Sequence, residues 1–77
     1  MAPMTDRDKI RALLPHWFEH NLEHAAQFRR WAEKVHAAGQ EEVAEEINLA
    51  AKELGSVNEA LSAALQKLGG PLDGHEA

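Results

Sequence analysis

The chain contains no cysteine, and this absence excludes two kinds of reinforcement. Neither disulfides nor thiolate metal sites, which often stabilise very small domains, can form. The 77 residues make a single domain, and a chain of this length buries only about 60% of the surface that its unfolded form exposes. We therefore expect a marginal core that gains stability from a partner.

The sequence also lacks a dense basic stripe and a long apolar run. With 13 acidic residues against 8 basic residues, the net charge is −5, which disfavours binding to a phosphate backbone. The apolar runs are only a few residues long, whereas about 20 are needed to cross a bilayer, and the N-terminus has no apolar signal region. These absences predict a cytoplasmic protein that binds neither nucleic acid nor membrane.

Capping and breaking signals predict a short first helix. Thr5 and Asp8 have the spacing of a capping box, with Asp in place of the usual Glu. A helix is expected to follow over about residues 6–14. Pro15 lacks an amide hydrogen and disfavours helical geometry in the residue before it, so the chain should kink or restart there.

Two long helices are predicted after this proline. Nothing between residues 16 and 38 breaks a helix, and Gly39 should end it as the residue after the C-cap. The third helix is expected over about residues 40–68, where a Gly-Gly-Pro run stops it. The remaining residues, 69–77, are expected to form a disordered tail.

Heptad spacing predicts that the two long helices pair as an antiparallel hairpin. Apolar residues recur at alternating spacings of three and four, which is typical of a coiled-coil-like seam. The turn at Gly39 sets the register and places Trp31 beside Ile47 and Phe28 beside Ala50. The predicted seam consists of Trp17, Asn21, His24, Phe28, Trp31, Val35 and Ala38, facing Val43, Ile47, Ala50, Leu54, Val57, Leu61, Ala64 and Leu68.

One side of this predicted seam carries small and apolar residues that should not face water. A two-helix hairpin has no layer to cover them, so the sequence predicts that two hairpins pair into a four-helix bundle. Gly55 supports close approach, because glycine inside a helix costs about 1 kcal/mol relative to alanine; a tolerated defect is the alternative. We name this side the small-residue flank; its predicted interface residues are Phe18, Leu22, Ala25, Ala51, Gly55, Asn58 and Ser62.

Two amides lie at almost the same level of this flank. Asn21 and Asn58 can hydrogen-bond within one hairpin or between two hairpins. A single polar layer of this kind fixes register and oligomeric state at some cost in stability. Two partly solvated amides are the alternative interpretation.

The opposite flank carries a row of three histidines spaced four apart, His16, His20 and His24. Adjacent members can chelate one ion, but two helical turns separate the outer members by roughly 12 Å, so a site needs further ligands. Glu53 is the best candidate, which gives His20, His24 and Glu53 as a two-histidine, one-carboxylate set for Zn, Ni, Co or Cu. Histidines from two chains of a dimer are a second route, and histidines that bind nothing are the alternative to both.

The segment around these histidines resembles part of a group of small helical-hairpin proteins of unassigned function. The resemblance rests on Leu14-Pro15-His16-Trp17, His20-Asn21 and Glu23-His24-Ala25, and it extends through Phe28 to Trp31-Ala32. It implies the hairpin fold and carries no activity with it.

No catalytic constellation stands out in the sequence. No serine has a paired base, no glycine-rich phosphate loop occurs, and no carboxylate pair is evidently buried. We therefore expect a non-catalytic, homo-oligomeric helical interaction module that binds a second copy of itself. The alternative is a metal-binding helical protein that uses the histidine row in storage, delivery or sensing, and an enzyme that uses such a metal remains a third hypothesis.

Overall fold

The computed structural model describes residues 3–72, which form two antiparallel helices. Helix α1 spans Asp6–Ala37 and helix α2 spans Glu41–Lys67. The predicted helical hairpin is confirmed. The start of α1 is also as predicted, because the Thr5 hydroxyl accepts a hydrogen bond from the Asp8 backbone N–H at 3.1 Å.

The turn between the helices depends on Gly39, which has a φ of +88°. The Gly39 N–H donates to the carbonyl of His36 at 2.9 Å, and the Gln40 N–H donates to the carbonyl of Val35 at 2.9 Å. This is the Schellman arrangement, which satisfies the last carbonyls of a helix and favours glycine at the left-handed position. The predicted end of this helix is confirmed.

The predicted short N-terminal helix is wrong, because α1 continues without a break through Pro15. A proline inside a helix removes one hydrogen bond and crowds the preceding turn, at a cost of about 3 kcal/mol. Packing against α2 outweighs this cost. Leu14 is only 2% exposed, and Phe18, one turn later, is half-buried where its carbonyl meets a side chain of α2.

Four of the six buried apolar residues among residues 3–72 are alanines, and they lie in the contact between the helices. Ala25 and Ala32 of α1 are buried, as are Ala44 and Ala51 of α2. Small side chains at heptad spacing allow the two helix axes to approach closely. Two leucines, Leu14 and Leu65, complete the buried set near the open end of the hairpin.

The observed contact is displaced from the predicted seam by one heptad column on each helix. On α1 the contact uses the column of Phe18, Ala25 and Ala32 in place of the predicted column of Trp17, His24 and Trp31. On each helix, three adjacent columns of residues have heptad spacing. Which two of these columns form the contact depends on how the side-chain volumes fit across it. The columns shared by prediction and structure are Asn21, Phe28 and Val35 on α1, and Ile47, Leu54, Leu61 and Leu68 on α2.

The predicted amide pair lies within this contact. Asn21 Nδ2 donates to Asn58 Oδ1 at 2.9 Å, and Asn58 Nδ2 donates to the Phe18 carbonyl at 3.3 Å. The bond within one hairpin is therefore confirmed. Because both amides are half-buried, sliding one helix along the other would leave them unpaired, which fixes the register.

Two arginines of α1 hold the chain that follows α2. Arg7 Nη2 donates to the Leu68 carbonyl at 2.8 Å, and Arg11 donates to the carbonyls of Gly70 at 2.8 Å and Pro71 at 3.2 Å. Their positive charge also complements the negative end of α2. The first part of the predicted disordered tail, residues 69–72, is thus fixed against α1, and the rest, 73–77, lies outside the described residues.

Replacing Pro15 with alanine should stabilise the fold. The change restores a helical N–H, which raises the free energy of unfolding. Alanine also gives the unfolded chain more freedom, which offsets part of this gain, so we expect a net rise of about 1–3 kcal/mol. Urea unfolding followed by circular dichroism at one protein concentration measures this. Pro3→Ala, outside the helix, is the matched control and should change nothing; a loss of stability in Pro15→Ala would show that the proline ring itself packs favourably.

Replacing Arg11 with alanine should release the segment after α2. Both hydrogen bonds from its guanidinium to carbonyl groups disappear. We therefore expect the free energy of unfolding to fall by about 1 kcal/mol, a value that allows for partial solvation of this side chain. The amide of Gly70 should exchange with solvent faster in the variant. Arg29→Ala removes the same charge from the C-terminal half of α1, and equal effects of the two variants would contradict this role for Arg11.

Candidate functional site

One flank of the hairpin exposes the bulky side chains that the predicted seam would have buried. Trp17 and Trp31 are 40% and 58% exposed, and Val43 and Val57 are 47% and 44% exposed. The members of each pair are two heptads apart, so they lie along one side of their helix. We name this surface the tryptophan face; it consists of Trp17, His24, Trp31, Val43, Ala50 and Val57, above the half-buried Phe28, Ile47, Leu54 and Leu61.

Two shallow cavities show that both helices contribute to this one face. A cavity of about 340 Å³ near the turn is lined by Phe28 of α1 and by Val43, Glu46, Ile47 and Ala50 of α2, and its walls are almost entirely apolar. A second cavity, of about 460 Å³, lies further along, and its lining residues are His16, Trp17, His20, Asn21 and Leu61. The tryptophan face is therefore continuous across the hairpin.

Trp31 is the more exposed of the two tryptophans of this face. Lys34 Nζ lies 4.4 Å from the centre of its ring. A cation–π contact at such an exposed site contributes only about 0.5–1 kcal/mol. Most of the indole surface remains available to a partner.

The histidine row follows the outer edge of the tryptophan face along α1. The ring centroids of His16 and His20 are 4.7 Å apart, and those of His20 and His24 are 6.5 Å apart. All three side chains are exposed, including His24, which sequence analysis placed in the seam. The row itself is formed as its spacing predicts.

The structure does not bring Glu53 to these histidines. Helical geometry places Glu53 on the outer edge of α2 and the row on the outer edge of α1, so both helices separate them. Within residues 3–72, no three His, Asp or Glu side chains are close enough to hold one metal ion. The predicted set of His20, His24 and Glu53 is not assembled within a single chain.

The predicted interface on the small-residue flank is divided by the fold. Ala25 and Ala51 are buried between α1 and α2, so they cannot contact a second chain. Phe18 and Asn58 are half-buried, and the Asn58 side-chain amide donates a hydrogen bond to the Phe18 backbone carbonyl. The remaining residues, Leu22, Gly55 and Ser62, are exposed on the flank opposite the tryptophan face.

This opposite flank is charged, and it does not explain Gly55. A Cβ atom added at Gly55 would meet nothing within 4 Å, so no close approach within the chain requires glycine there. A cavity of about 250 Å³ on the same flank is lined by Glu33, His36, Glu41, Glu45 and Asn48, together with alanines of the contact. Such a surface is suited to water.

None of the helices in the described part of the chain has the length and apolar character that crossing a membrane requires.

Comparison with known families identifies the group to which the chain is related. The family described as Domain of unknown function (DUF8180) matches residues 10–68. The chain belongs to this family. The DUF8180 segment includes the alanine contact, the Gly39 turn, the histidine row and the whole tryptophan face. No curated protein and no solved structure matches the chain.

Proposed function

We propose that this DUF8180 protein is a non-catalytic, cytoplasmic helical module that pairs with a second copy of itself through the tryptophan face. The observation that carries the proposal is the exposure of two tryptophans and two valines on one flank. Among residues 3–72, only six apolar residues are buried within one hairpin. A second hairpin laid on this flank supplies the missing layer of a four-helix bundle.

The size of the face is what a stable dimer needs. Helix α2 has 27 residues, which makes the strip roughly 40 Å long, and two adjacent helices make it about 18–20 Å wide. The strip therefore offers about 700–800 Å² per chain, which is the size of a standard specific interface.

Shape complementarity favours one arrangement of the two copies. A two-fold axis parallel to the hairpin places α1 of each chain over α2 of the other, so that large residues of α1 meet small residues of α2. Trp31 then lies at the level of the partner's cavity of about 340 Å³ beside Val43 and Ala50. All neighbouring helices are antiparallel in this bundle, which also pairs their dipoles favourably.

A single charge on the tryptophan face should abolish the dimer. We expect wild-type protein to scatter light as a dimer at micromolar concentration and Val43→Glu to be a monomer, because the new carboxylate would be buried without a partner. Val43 lies near the start of α2, where a carboxylate favours the helix. The variant should therefore keep its helical circular dichroism.

Leu22→Glu is the matched control, since it adds the same charge to an exposed apolar residue of the opposite flank. It should remain a dimer. A well-folded wild-type monomer at these concentrations would overturn the proposal. If Leu22→Glu dissociated the dimer and Val43→Glu did not, the interface would lie on the opposite flank, and the proposal would again be wrong. The tryptophan emission should shift to shorter wavelength with protein concentration, because pairing buries both indoles.

A further inference from the structure

Within residues 3–72, no acidic side chain joins the histidine row in a group of three that could hold one metal ion, and the proposed dimer supplies such a side chain. Asn21 pairs with Asn58, which fixes the axial level of every residue on the two helices. From this register, Glu53 lies within about 3 Å of the axial level of His24, on the other side of the hairpin. A metal ion cannot bridge the width of the hairpin within one chain, in line with the absence of a three-ligand group in residues 3–72.

Pairing through the tryptophan face removes this separation. When α1 of one chain lies over α2 of the other about an axis parallel to the hairpin, axial levels are preserved. The outer edge of α1 then adjoins the outer edge of the other chain's α2. In this arrangement His20 and His24 lie at the same rim of the interface as Glu53 of the partner subunit, with His24 nearer to its level.

We propose that His20 and His24 of one chain and Glu53 of the partner subunit form a binding site for a divalent transition metal, with one site at each of the two rims of the dimer. The inference rests on the proposed function, because the site is incomplete without the second copy. Two imidazoles and one carboxylate suit Zn²⁺, Co²⁺ or Ni²⁺, and i,i+4 histidines on one helix are a natural chelating pair.

Loss of the carboxylate is the first test. Calorimetric titration of wild-type protein with Zn²⁺ alone should give one ion per chain, and Glu53→Gln should weaken binding by more than about tenfold. Glu46→Gln, which removes the same charge from α2 one heptad away, should bind as the wild type does. Equal binding by Glu53→Gln and the wild type would overturn the inference.

Mixing two defective variants tests whether the ligands come from different chains. His20→Ala/His24→Ala retains Glu53, and Glu53→Gln retains both histidines, so neither homodimer has a complete site. After unfolding and refolding together, half of the dimers are mixed and each has one complete site. About a quarter of the wild-type capacity for tight Zn²⁺ binding should return. Failure to recover it, although light scattering shows dimers, would exclude a site shared between chains.

The oligomeric state separates this inference from the proposed function. A dimer that binds no Zn²⁺ removes the metal site and leaves the interaction module intact. Tight binding by a monomer removes both the dimer and the shared site. Binding that persists in His24→Ala but disappears in His16→Ala would identify His16 and His20 as an independent chelate within one chain, and it would also overturn the inference.

Discussion

The alanine contact between α1 and α2 determines every other surface of this protein. Ala25 and Ala32 face Ala44 and Ala51, and these small residues let the two helices lie close together along their length. Close contact between small side chains buries little apolar area per residue, and among residues 3–72 Leu14 and Leu65 are the only large apolar residues that are buried. The tryptophans and valines are exposed because alanines occupy the positions between the helices.

Much of the fold could be predicted because its signals are local. Thr5 and Gly39 set helix ends through backbone hydrogen bonds that depend on only a few neighbouring residues. The register was also predictable, since a short turn leaves little freedom in how two antiparallel helices align. The pairing of Asn21 with Asn58 follows from that alignment.

The features that could not be predicted depend on contacts between distant residues. The continuation of α1 through Pro15 requires Leu14 and Phe18 to pack in one line against α2, which outweighs a local preference. The anchoring of the chain after α2 requires Arg11, which is 59 positions from Gly70. The rotation of each helix was the largest difference, because heptad spacing shows a stripe but does not show which of its edges faces the partner helix. Paired alanines at Ala25, Ala32, Ala44 and Ala51 were the signal that could have located the contact.

This rotation also changes how the histidine row relates to self-association. Had the seam contained the tryptophans, the small-residue flank would have formed the interface, and the histidines would have lain on the opposite side of the hairpin. With alanines in the seam, the exposed apolar surface and the histidine row share one flank, and His24 lies between Trp17 and Trp31 on the same heptad column. A surface suited to a second copy and a row of potential metal ligands are therefore adjacent, so that association and metal binding can depend on each other.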